Sequence, residues 1–477
     1  MHRYGRRASC QLASIAMQSS TAKLRQEAHE TSLGPLRSEP MTRPDTSVVE
    51  LARPASGFAS SGAPRKSYLA KGALIGIGLF VALLLLEVGL RIAGVVHSGS
   101  FFTGDLVRGW GLRPGAHAWA IGEAKVYVQI NSDGLRDREH AIQKPAGTLR
   151  IAVLGDSYVE AMNVPLEKTF PAVLERELSS CVALGHRQVE VINFGVSGYG
   201  TAQELLTLRE HAWKYDPDII LLAFYTGNDF FNNYRALNPV ESEQYPYFVY
   251  DDNSLVLDNS FRRSWKMSKA YNWFFNFRGE IQNHSRVFQV FMEAIKDLKT
   301  KSAERDADRS IASLGLGDLE DIIYYSPVDP RMREAWHVTE GILLLMRDDV
   351  RSHGAEFWMA TLANRPQLNP DPNQQQAFMK RLGISTLFYP DQRLRTFAQE
   401  AGIPTITLAP EMSAYAETHH VFLNGGHNIP FGTGHWNEDG HRLGGELIAS
   451  ELCKQSAKAW KSVPEKSSAQ ATRSPVQ

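Results

Sequence analysis

The chain of 477 residues contains few cysteines and has no excess of basic charge. Its three cysteines, Cys10, Cys181 and Cys453, lie far apart without a CxxC pair, which argues against a zinc or thioredoxin-like site. The formal net charge is -1, so no overall positive field indicates a nucleic-acid partner. Apolar residues at 43% and charged residues at 22% are typical of a folded protein with a core.

Both ends of the chain are predicted to be disordered. Residues 1–66 have no steady periodicity, are rich in Ser, Ala, Arg, Pro and Thr, and contain few aromatic residues. Residues 456–477 are predicted to form a second disordered tail. The folded part of the protein is therefore expected between these two segments.

Residues 72–96 are predicted to form a transmembrane anchor. They begin with an uninterrupted run of apolar residues and glycines, followed by Glu87 and Arg91, which lie four apart and can pair on one helix face. The segment reaches the length of about 20 residues that a span needs only if this pair lies near the far interface. The alternatives are a cleaved signal peptide and a buried core helix.

Basic residues close to the start of this run predict its orientation: Arg65, Lys66 and Lys71. By the positive-inside rule they place residues 1–66 in the cytoplasm and the rest of the chain outside it. The sequence thus predicts a single-pass inner (cytoplasmic) membrane protein.

Residues 149–455 alternate between strand and helix patterns. Five apolar runs predict strands, at 150–155, 189–195, 218–227, 356–363 and 405–409, and helical spacing follows or precedes each of them. This order predicts an α/β fold with a doubly wound parallel sheet. Residues 97–148 are interpreted as an entry segment. The aromatic-rich stretch 235–330 breaks the alternation and is interpreted as an insertion, either a lid or recognition subdomain, or a surface excursion with its own small core.

Residues with chemical potential stand directly after successive predicted strands. Ser157 follows the first strand, Gly198 follows the second, Asn228 follows the third, and His435 precedes the last helix. Ligands of open α/β sheets bind at the carboxyl ends of the strands, so these residues are expected to converge on one edge. Each is weak evidence alone, because such residues are often only turn or cap residues. Their joint placement predicts an active site.

Four blocks of this chain resemble the SGNH (GDSL-type) hydrolase family. They read VLGDSYVEAMNV (153–164), INFGVSGYGTAQE (192–204), AFYTGNDF (223–230) and HWNEDGH (435–441). The resemblance implies a flavodoxin-like fold with strand order 2-1-3-4-5 and ester or acyl-transfer chemistry without a metal or cofactor. It also implies that Ser157 is the nucleophile, Gly198 and Asn228 donate hydrogen bonds to the oxyanion, and His435 is the base.

The sequence departs from the family pattern at one position. The usual acid lies three residues before the histidine, where this chain has Gly432. His435 is then held by a backbone carbonyl or by an acid from elsewhere, or the acid and base are instead Glu438 and His441. Two further acidic residues beside the site, Asp156 and Asp229, are expected to bond nearby backbone N–H groups.

The flavodoxin-like order places the first and last helices of the domain side by side. Cys181 ends the first of these helices and Cys453 lies near the end of the last, so the two can meet. Outside the cytoplasm a disulfide is permitted. Two buried thiols are the alternative.

Three functions remain open from the sequence. The first is an esterase that acts on an O-acyl ester, such as an acylated glycan or a lipid ester, through an acyl-serine intermediate. The second is an O-acyltransferase to a polysaccharide hydroxyl, which could work with a membrane acyl-donor protein. The third is a non-catalytic glycan-binding or assembly protein, motivated by Gly432. No nucleic-acid partner is expected.

Overall fold

The computed structural model describes residues 65–185, 187–238, 244–298 and 319–459. Most of the two predicted tails, and Cys10, lie outside these residues. The described part begins and ends in helices, at Arg65 and Ala459. The predicted tails are therefore too long, because the last four residues of this second helix lie in the predicted tail 456–477 and the first two residues of the first helix lie in the predicted tail 1–66.

Eleven strands are present in the described residues. In chain order they are β1 (Phe102–Asp105), β2 (Gly109–Leu112), β3 (His117–Ile121), β4 (Lys125–Gln129), β5 (Thr148–Gly155), β6 (Gln188–Asn193), β7 (Ile219–Tyr225), β8 (Tyr247–Asp251), β9 (Ser254–Asp258), β10 (Glu356–Leu362) and β11 (Thr405–Thr407).

The helices of the described residues alternate along the chain with these strands, with loops and with short 3-10 turns. They are α1 (Arg65–Ile92), α2 (Ser157–Glu160), α3 (Phe170–Ser179), α4 (Thr201–Glu210), α5 (Asp229–Asn232), α6 (Lys269–His284), α7 (286–298), α8 (Leu319–Ile322), α9 (Pro330–Ser352), α10 (Pro372–Leu382), α11 (Tyr389–Ala401), α12 (Ala409–His419) and α13 (Glu438–Ala459).

A five-stranded sheet forms the centre of the domain. Its strands lie in the order β11-β10-β7-β5-β6 and all pair in parallel. Numbered along the chain, this is the predicted order 2-1-3-4-5. Every residue of β5 is buried, because helices cover both faces of the sheet. The predicted α/β doubly wound sheet is confirmed.

Two apolar layers hold the helices on the sheet. On one face α4, α9 and α11 pack through residues such as Leu205, Trp336 and Leu394. On the other face α3, α12 and α13 pack through residues such as Leu174 and Ile448. Helices α3 and α13 lie against each other, and Cys181 and Cys453 form a disulfide with their Cα atoms 6.0 Å apart. Of the two alternatives, a disulfide and two buried thiols, the structure therefore contains the disulfide.

Helix α1 is long and apolar enough to cross a membrane. The candidate span covers Tyr68–Ile92, and none of its residues is fully buried, although Glu87 and Leu90 near its end are partly covered. The predicted segment 72–96 is shifted, because Gly94 adopts a left-handed conformation, with φ of +69°, and ends the helix. As predicted, Arg91 donates to Glu87 on the same face, at 2.8 Å.

The entry segment 97–148 contains regular secondary structure and does more than lead into the domain. It contains two antiparallel hairpins, β1–β2 and β3–β4. Their apolar residues form a small core of their own with Val196 and Tyr199, which belong to the loop after β6. This segment therefore packs at the edge of the sheet where the active site was predicted.

The insertion 235–330 is described except for residues 239–243 and 299–318. It contains the β8–β9 hairpin and helices α6, α7 and α8. Phe248 of β8 joins the apolar layer beneath α9, so the insertion is attached to the core of the domain.

Candidate active site

Ser157 and His435 are brought together at the carboxyl edge of the sheet. Ser157 opens helix α2 directly after β5, and His435 lies three residues before α13. Ser157 Oγ lies 2.7 Å from His435 Nε2. A serine hydroxyl becomes a useful nucleophile only when a base lies within this distance of its proton.

The acid beside His435 is Glu123, from the turn between β3 and β4. One carboxylate oxygen lies 2.8 Å from the ring Nδ1 of His435, and the other accepts the main-chain N–H of the same residue at 2.8 Å. An N–H on Nδ1 that faces the carboxylate makes Nε2 the nitrogen that accepts the proton of Ser157. The three side chains therefore form a continuous hydrogen-bonded chain.

The carboxylate of Glu123 and the imidazolium of His435 stabilise each other. Burial disfavours the carboxylate, but His435 and its two hydrogen bonds hold the pKa of Glu123 below the ordinary value. Burial likewise disfavours the imidazolium, but Glu123 and Asp156 raise the pKa of His435 above 6.5. The site is thus arranged to stabilise a protonated His435, the species formed when the base accepts the serine proton.

Gly434 makes room for this carboxylate. Its φ is +70°, and a Cβ at this position would lie 2.7 Å from the carboxylate of Glu123. At Gly432, where the family pattern has an acid, φ is +81° and the backbone again favours glycine. The loop before His435 has thus no acid of its own, and it is shaped to admit one from another segment.

The predicted oxyanion donor Gly198 lies in a tight turn after β6. Tyr199 N–H donates to Val196 O at 3.2 Å, which closes the turn without the N–H of Gly198. Gly198 has a φ of +80° at the third position, as glycine does in a type II turn. Tyr245 from the insertion donates to Gly198 O at 2.7 Å, and Trp110 from the entry segment donates to Ser197 O at 3.0 Å.

Asn228 follows β7 at the same edge of the sheet. The strand β5, which leads to Ser157, lies between β7 and the strand β6 that precedes Gly198. Its side-chain amide donates to Asp156 Oδ2 at 3.3 Å. Asp156 also accepts the N–H of Tyr158 at 2.9 Å and so caps α2, while Asp229 accepts the N–H of Tyr225 at 2.8 Å. The predicted structural bonds of the two aspartates are confirmed.

A buried glutamate supports the Gly198 turn from below. Glu160 accepts a hydrogen bond from the hydroxyl of Ser197, and burial raises its pKa to about 7. The nearby Arg136 donates to the backbone oxygen of Glu160 at 2.5 Å and to Val164 O at 2.5 Å. These contacts tie Glu160 to the turn after β6 and to the end of α2.

The alternative register is not assembled by the structure. His441 is buried inside α13, where its Nδ1 accepts the N–H of Phe170 at 3.4 Å and burial lowers its pKa to about 3. Glu438 pairs with Lys168 at 2.5 Å instead. Within the described residues, no group of three His, Cys, Asp or Glu side chains is placed to hold a metal ion.

Sequence reasoning missed Glu123. The segment LRPGAHAWAIGEAKVYVQI contains the signal of a hairpin, because HAWAI and KVYVQ are short runs of strand-forming residues separated by a turn with glycine. Nothing in that pattern indicates that the turn reaches a histidine 312 positions later.

Comparison with known proteins gives matches in solved structures alone. No protein-family model and no curated protein matches the chain. An acetyl xylan esterase matches with 12% identity and a TM-score of 0.31, covering 64% of this chain and 99% of that one. An α/β hydrolase from the metagenome of Lake Arreo, Spain, matches with 12% identity and a TM-score of 0.32, covering 66% and 98%. A catalytic mutant of an acetylxylan esterase from Geobacillus stearothermophilus matches with 9% identity and a TM-score of 0.31, covering 66% and 96%.

These matches are too distant to carry an argument, so the fold rests on the chain's own strand order and on the four blocks at the carboxyl edge of its sheet. The chain has an α/β fold with a five-stranded parallel sheet in the order 2-1-3-4-5. Fold alone does not dictate activity, which depends on the residues placed at that edge.

Proposed function

We propose that this protein is a serine esterase that cleaves O-acyl esters through an acyl-serine intermediate. The proposal rests on two hydrogen bonds in series, from Ser157 Oγ to His435 Nε2 at 2.7 Å and from His435 Nδ1 to Glu123 at 2.8 Å. A nucleophile, a base and a group that orients the base are the three parts that acyl transfer at serine requires.

In the first half-reaction Ser157 Oγ attacks the ester carbonyl carbon while His435 accepts its proton. The carbonyl π electrons move to oxygen, and a tetrahedral intermediate forms. Its collapse breaks the bond to the alcohol oxygen, which takes the proton back from His435. Glu123 stays ionised and stabilises the imidazolium that forms between the two proton transfers.

The oxyanion of this intermediate needs donors that are already in place. The backbone N–H groups of Ser157 and Gly198 and the side-chain amide of Asn228 are proposed to supply them. Gly198 lies in a turn whose own hydrogen bond leaves its N–H uncommitted to the turn, and Asn228 is held beside Ser157 through Asp156. Such preorganised donors are worth about 2.7–4 kcal/mol each in the barrier.

In the second half-reaction His435 removes a proton from a water molecule, which attacks the acyl carbon and forms a second tetrahedral intermediate. Its collapse breaks the bond between the acyl carbon and Ser157 Oγ, and His435 returns the proton to Ser157 Oγ. If a sugar hydroxyl attacks instead, the same steps transfer the acyl group, so transfer differs from hydrolysis only in the acceptor. The proposed substrate is an O-acyl ester, such as an acylated glycan or a lipid ester. The non-catalytic alternative loses its motivation, because Glu123 occupies the place that Gly432 leaves without an acid.

The catalytic domain is proposed to lie outside the cytoplasm. The Cys181–Cys453 disulfide supports this, because disulfides persist in oxidising compartments. The basic residues before the apolar run of α1 support the same orientation.

The test uses the full-length protein purified in detergent. Turnover of p-nitrophenyl acetate and labelling by a fluorophosphonate are measured for wild type, Ser157→Ala, His435→Ala and His441→Ala. We expect labelling and turnover to be lost in Ser157→Ala, turnover to be lost in His435→Ala, and both to be retained in folded His441→Ala. Absence of labelling and turnover in folded wild type would contradict the proposal.

A further inference from the structure

Two consecutive helices of the insertion each expose aromatic and apolar side chains. Along α6, the exposed apolar residues recur at helical spacing, and along α7 the same pattern continues. They are Trp273, Phe274 and Phe277 on the first helix, and Val290, Phe291 and Leu298 on the second. Trp273 is 68% exposed and Phe291 is 56% exposed. We refer to these six residues as the aromatic face. Large apolar side chains exposed in this number on two consecutive helices indicate a surface that binds something.

The opposite side of the two helices is packed against the segment that leaves α1. Asn283 accepts the N–H of Ser100 at 2.7 Å, and Gln282 donates to Ser98 O at 2.9 Å. Gln289, which is buried, accepts the N–H of His97 at 3.2 Å. The helices are therefore held firmly on one side and expose apolar residues on the other.

The end of α1 holds the junction between the two helices directly. Glu87 accepts the N–H groups of Arg286 and Val287, each at 3.0 Å, and so caps the first turn of α7. Arg91 donates to His284 O at 2.7 Å and so satisfies the last turn of α6. The same two charges that interrupt the apolar run of α1 are thus used to attach the insertion to it.

The position of these charges along α1 sets the height of the junction. From Tyr68 to Glu87 the helix rises about 30 Å, at about 1.5 Å for each residue. This equals the thickness of the hydrocarbon core of a bilayer, about 30 Å. If α1 spans a membrane, Glu87 and Arg91 lie at its interface, and the junction that they bind lies in the same plane.

We infer that α6 and α7 lie flat on the bilayer that α1 spans, with the aromatic face inserted among the lipid headgroups and upper acyl chains. Tryptophan and phenylalanine are suited to this region, and an amphipathic helix inserts its apolar face by about 5–10 Å. The membrane is the occupant that the structure favours, because the patch is attached to the end of the span at interface depth. The inference rests on α1 as an anchor and does not depend on the proposed esterase activity.

This arrangement would hold the active site close to the membrane surface. The exit segment of α1 bonds to the hairpin that carries Glu123, since Ser98 Oγ donates to Ile121 O at 2.6 Å and Gly99 N–H donates to Trp119 O at 2.9 Å. Glu123 lies two residues beyond Ile121. With the proposed function, this geometry favours an ester presented at or near the membrane surface.

The test measures how deeply single positions lie in a bilayer. In full-length protein carrying Cys10→Ser, with Cys181 and Cys453 left as the disulfide, a nitroxide is attached to Phe274→Cys, Phe277→Cys or Phe291→Cys. Glu400→Cys is the matched control, because Glu400 is exposed at the opposite edge of the sheet, near the end of α11. Each protein is placed in phosphatidylcholine and phosphatidylglycerol vesicles, and collision with oxygen is compared with collision with a water-soluble nickel complex.

We expect the labels at 274, 277 and 291 to collide more with oxygen than with nickel, at a depth of about 5–10 Å, and the label at 400 to show the reverse. Labels at all three positions that are as accessible to nickel as the label at 400 would overturn the inference and would favour a protein as the occupant of this face. Three separate positions keep the result independent of the folding of any one variant. The readout is not activity, so an inactive protein can still support or contradict it.

Discussion

The carboxylate of Glu123 contacts both the ring and the main-chain N–H of His435, each at 2.8 Å. The acid of the site thus comes from a hairpin that precedes the whole sheet, whereas the family pattern has it three residues before the histidine. The double contact fixes the position of the loop before α13 as well as the orientation of the ring. Removal of this one side chain should therefore affect catalysis through the placement and charge of its neighbour.

Replacement of Glu123 by glutamine should lower kcat for p-nitrophenyl acetate by about 10²–10⁴-fold. Glutamine keeps the size of the side chain but cannot stabilise the imidazolium, and it does not favour the Nδ1–H tautomer. The matched control is Glu438→Gln, because Glu438 pairs with Lys168 and not with the histidine. A loss of kcat in the control and not in Glu123→Gln would transfer the role of the acid to Glu438.

The same variant should change the pH dependence of turnover. Glu123 raises the pKa of His435, and the base acts only when it is neutral, so activity of the wild type should fall as the pH decreases through a value above 6.5. Without the carboxylate this acidic limb should move to lower pH. The measurement is kcat/KM between pH 5 and 9 for both proteins. An acidic limb at the same pH in both would show that Glu123 does not act on the titration of His435.

Replacement of Asn228 by alanine should lower kcat by about 10²–10³-fold with little change in KM, which corresponds to about 2.7–4 kcal/mol in the barrier. Asn228→Asp should be at least as severe, since the new carboxylate would stand beside Asp156 and repel the oxyanion. Asn373→Ala, at an exposed position at the start of α10, serves as the control. A rise in KM at unchanged kcat would instead indicate a role in substrate binding.

Replacement of Glu160 by glutamine should change how stability depends on pH. Burial raises the pKa of Glu160 from 4.5 to about 7, so between these values the folded protein holds a proton that the unfolded chain has lost. The wild type therefore loses stability as the pH rises through this range, and the variant lacks this loss. The free energy of unfolding of Glu160→Gln minus that of wild type should therefore increase by up to about 3 kcal/mol from pH 4 to pH 8.

Denaturant unfolding at these two pH values measures this difference. Glu417→Gln, at an exposed position on α12, is the control and should follow the wild type. Parallel stability curves for wild type and Glu160→Gln would mean that folding does not raise the pKa of Glu160.

Loss of the Cys181–Cys453 disulfide should lower the free energy of unfolding by about 2–5 kcal/mol. The bond closes a loop across 272 positions and ties the ends of α3 and α13, so its removal releases a large part of the unfolded chain. The measurement is denaturant unfolding with and without dithiothreitol, and for the double variant Cys181→Ser/Cys453→Ser. The double variant should be insensitive to the reductant. Cys10→Ser should respond to it as the wild type does, and an equal stability of reduced and oxidised wild type would argue against the bond.

The sequence by itself determined the sheet and four residues at its edge. Apolar runs and helical spacing are local, so they predict strands and helices at nearly the observed positions. Carboxyl ends of neighbouring parallel strands always meet at one edge, so Ser157, Gly198 and Asn228 could be placed together before any coordinates. His435 followed from its position before the last helix, and the Cys181–Cys453 pair followed from the expected order of the strands.

Only the tertiary structure decided which acid lies beside His435 and which part of the insertion binds the end of α1. Glu123 is one of 52 acidic residues, and its neighbours in the sequence resemble those of any exposed turn. Its role depends on how the β3–β4 hairpin packs on the sheet, and that contact has no local pattern. In the same way, the spacing of Glu87 and Arg91 predicted that they pair, but it did not predict their hydrogen bonds to the junction between α6 and α7. Contacts between segments far apart in the chain depend on the shape of the assembled core, so they become visible only once that core is built.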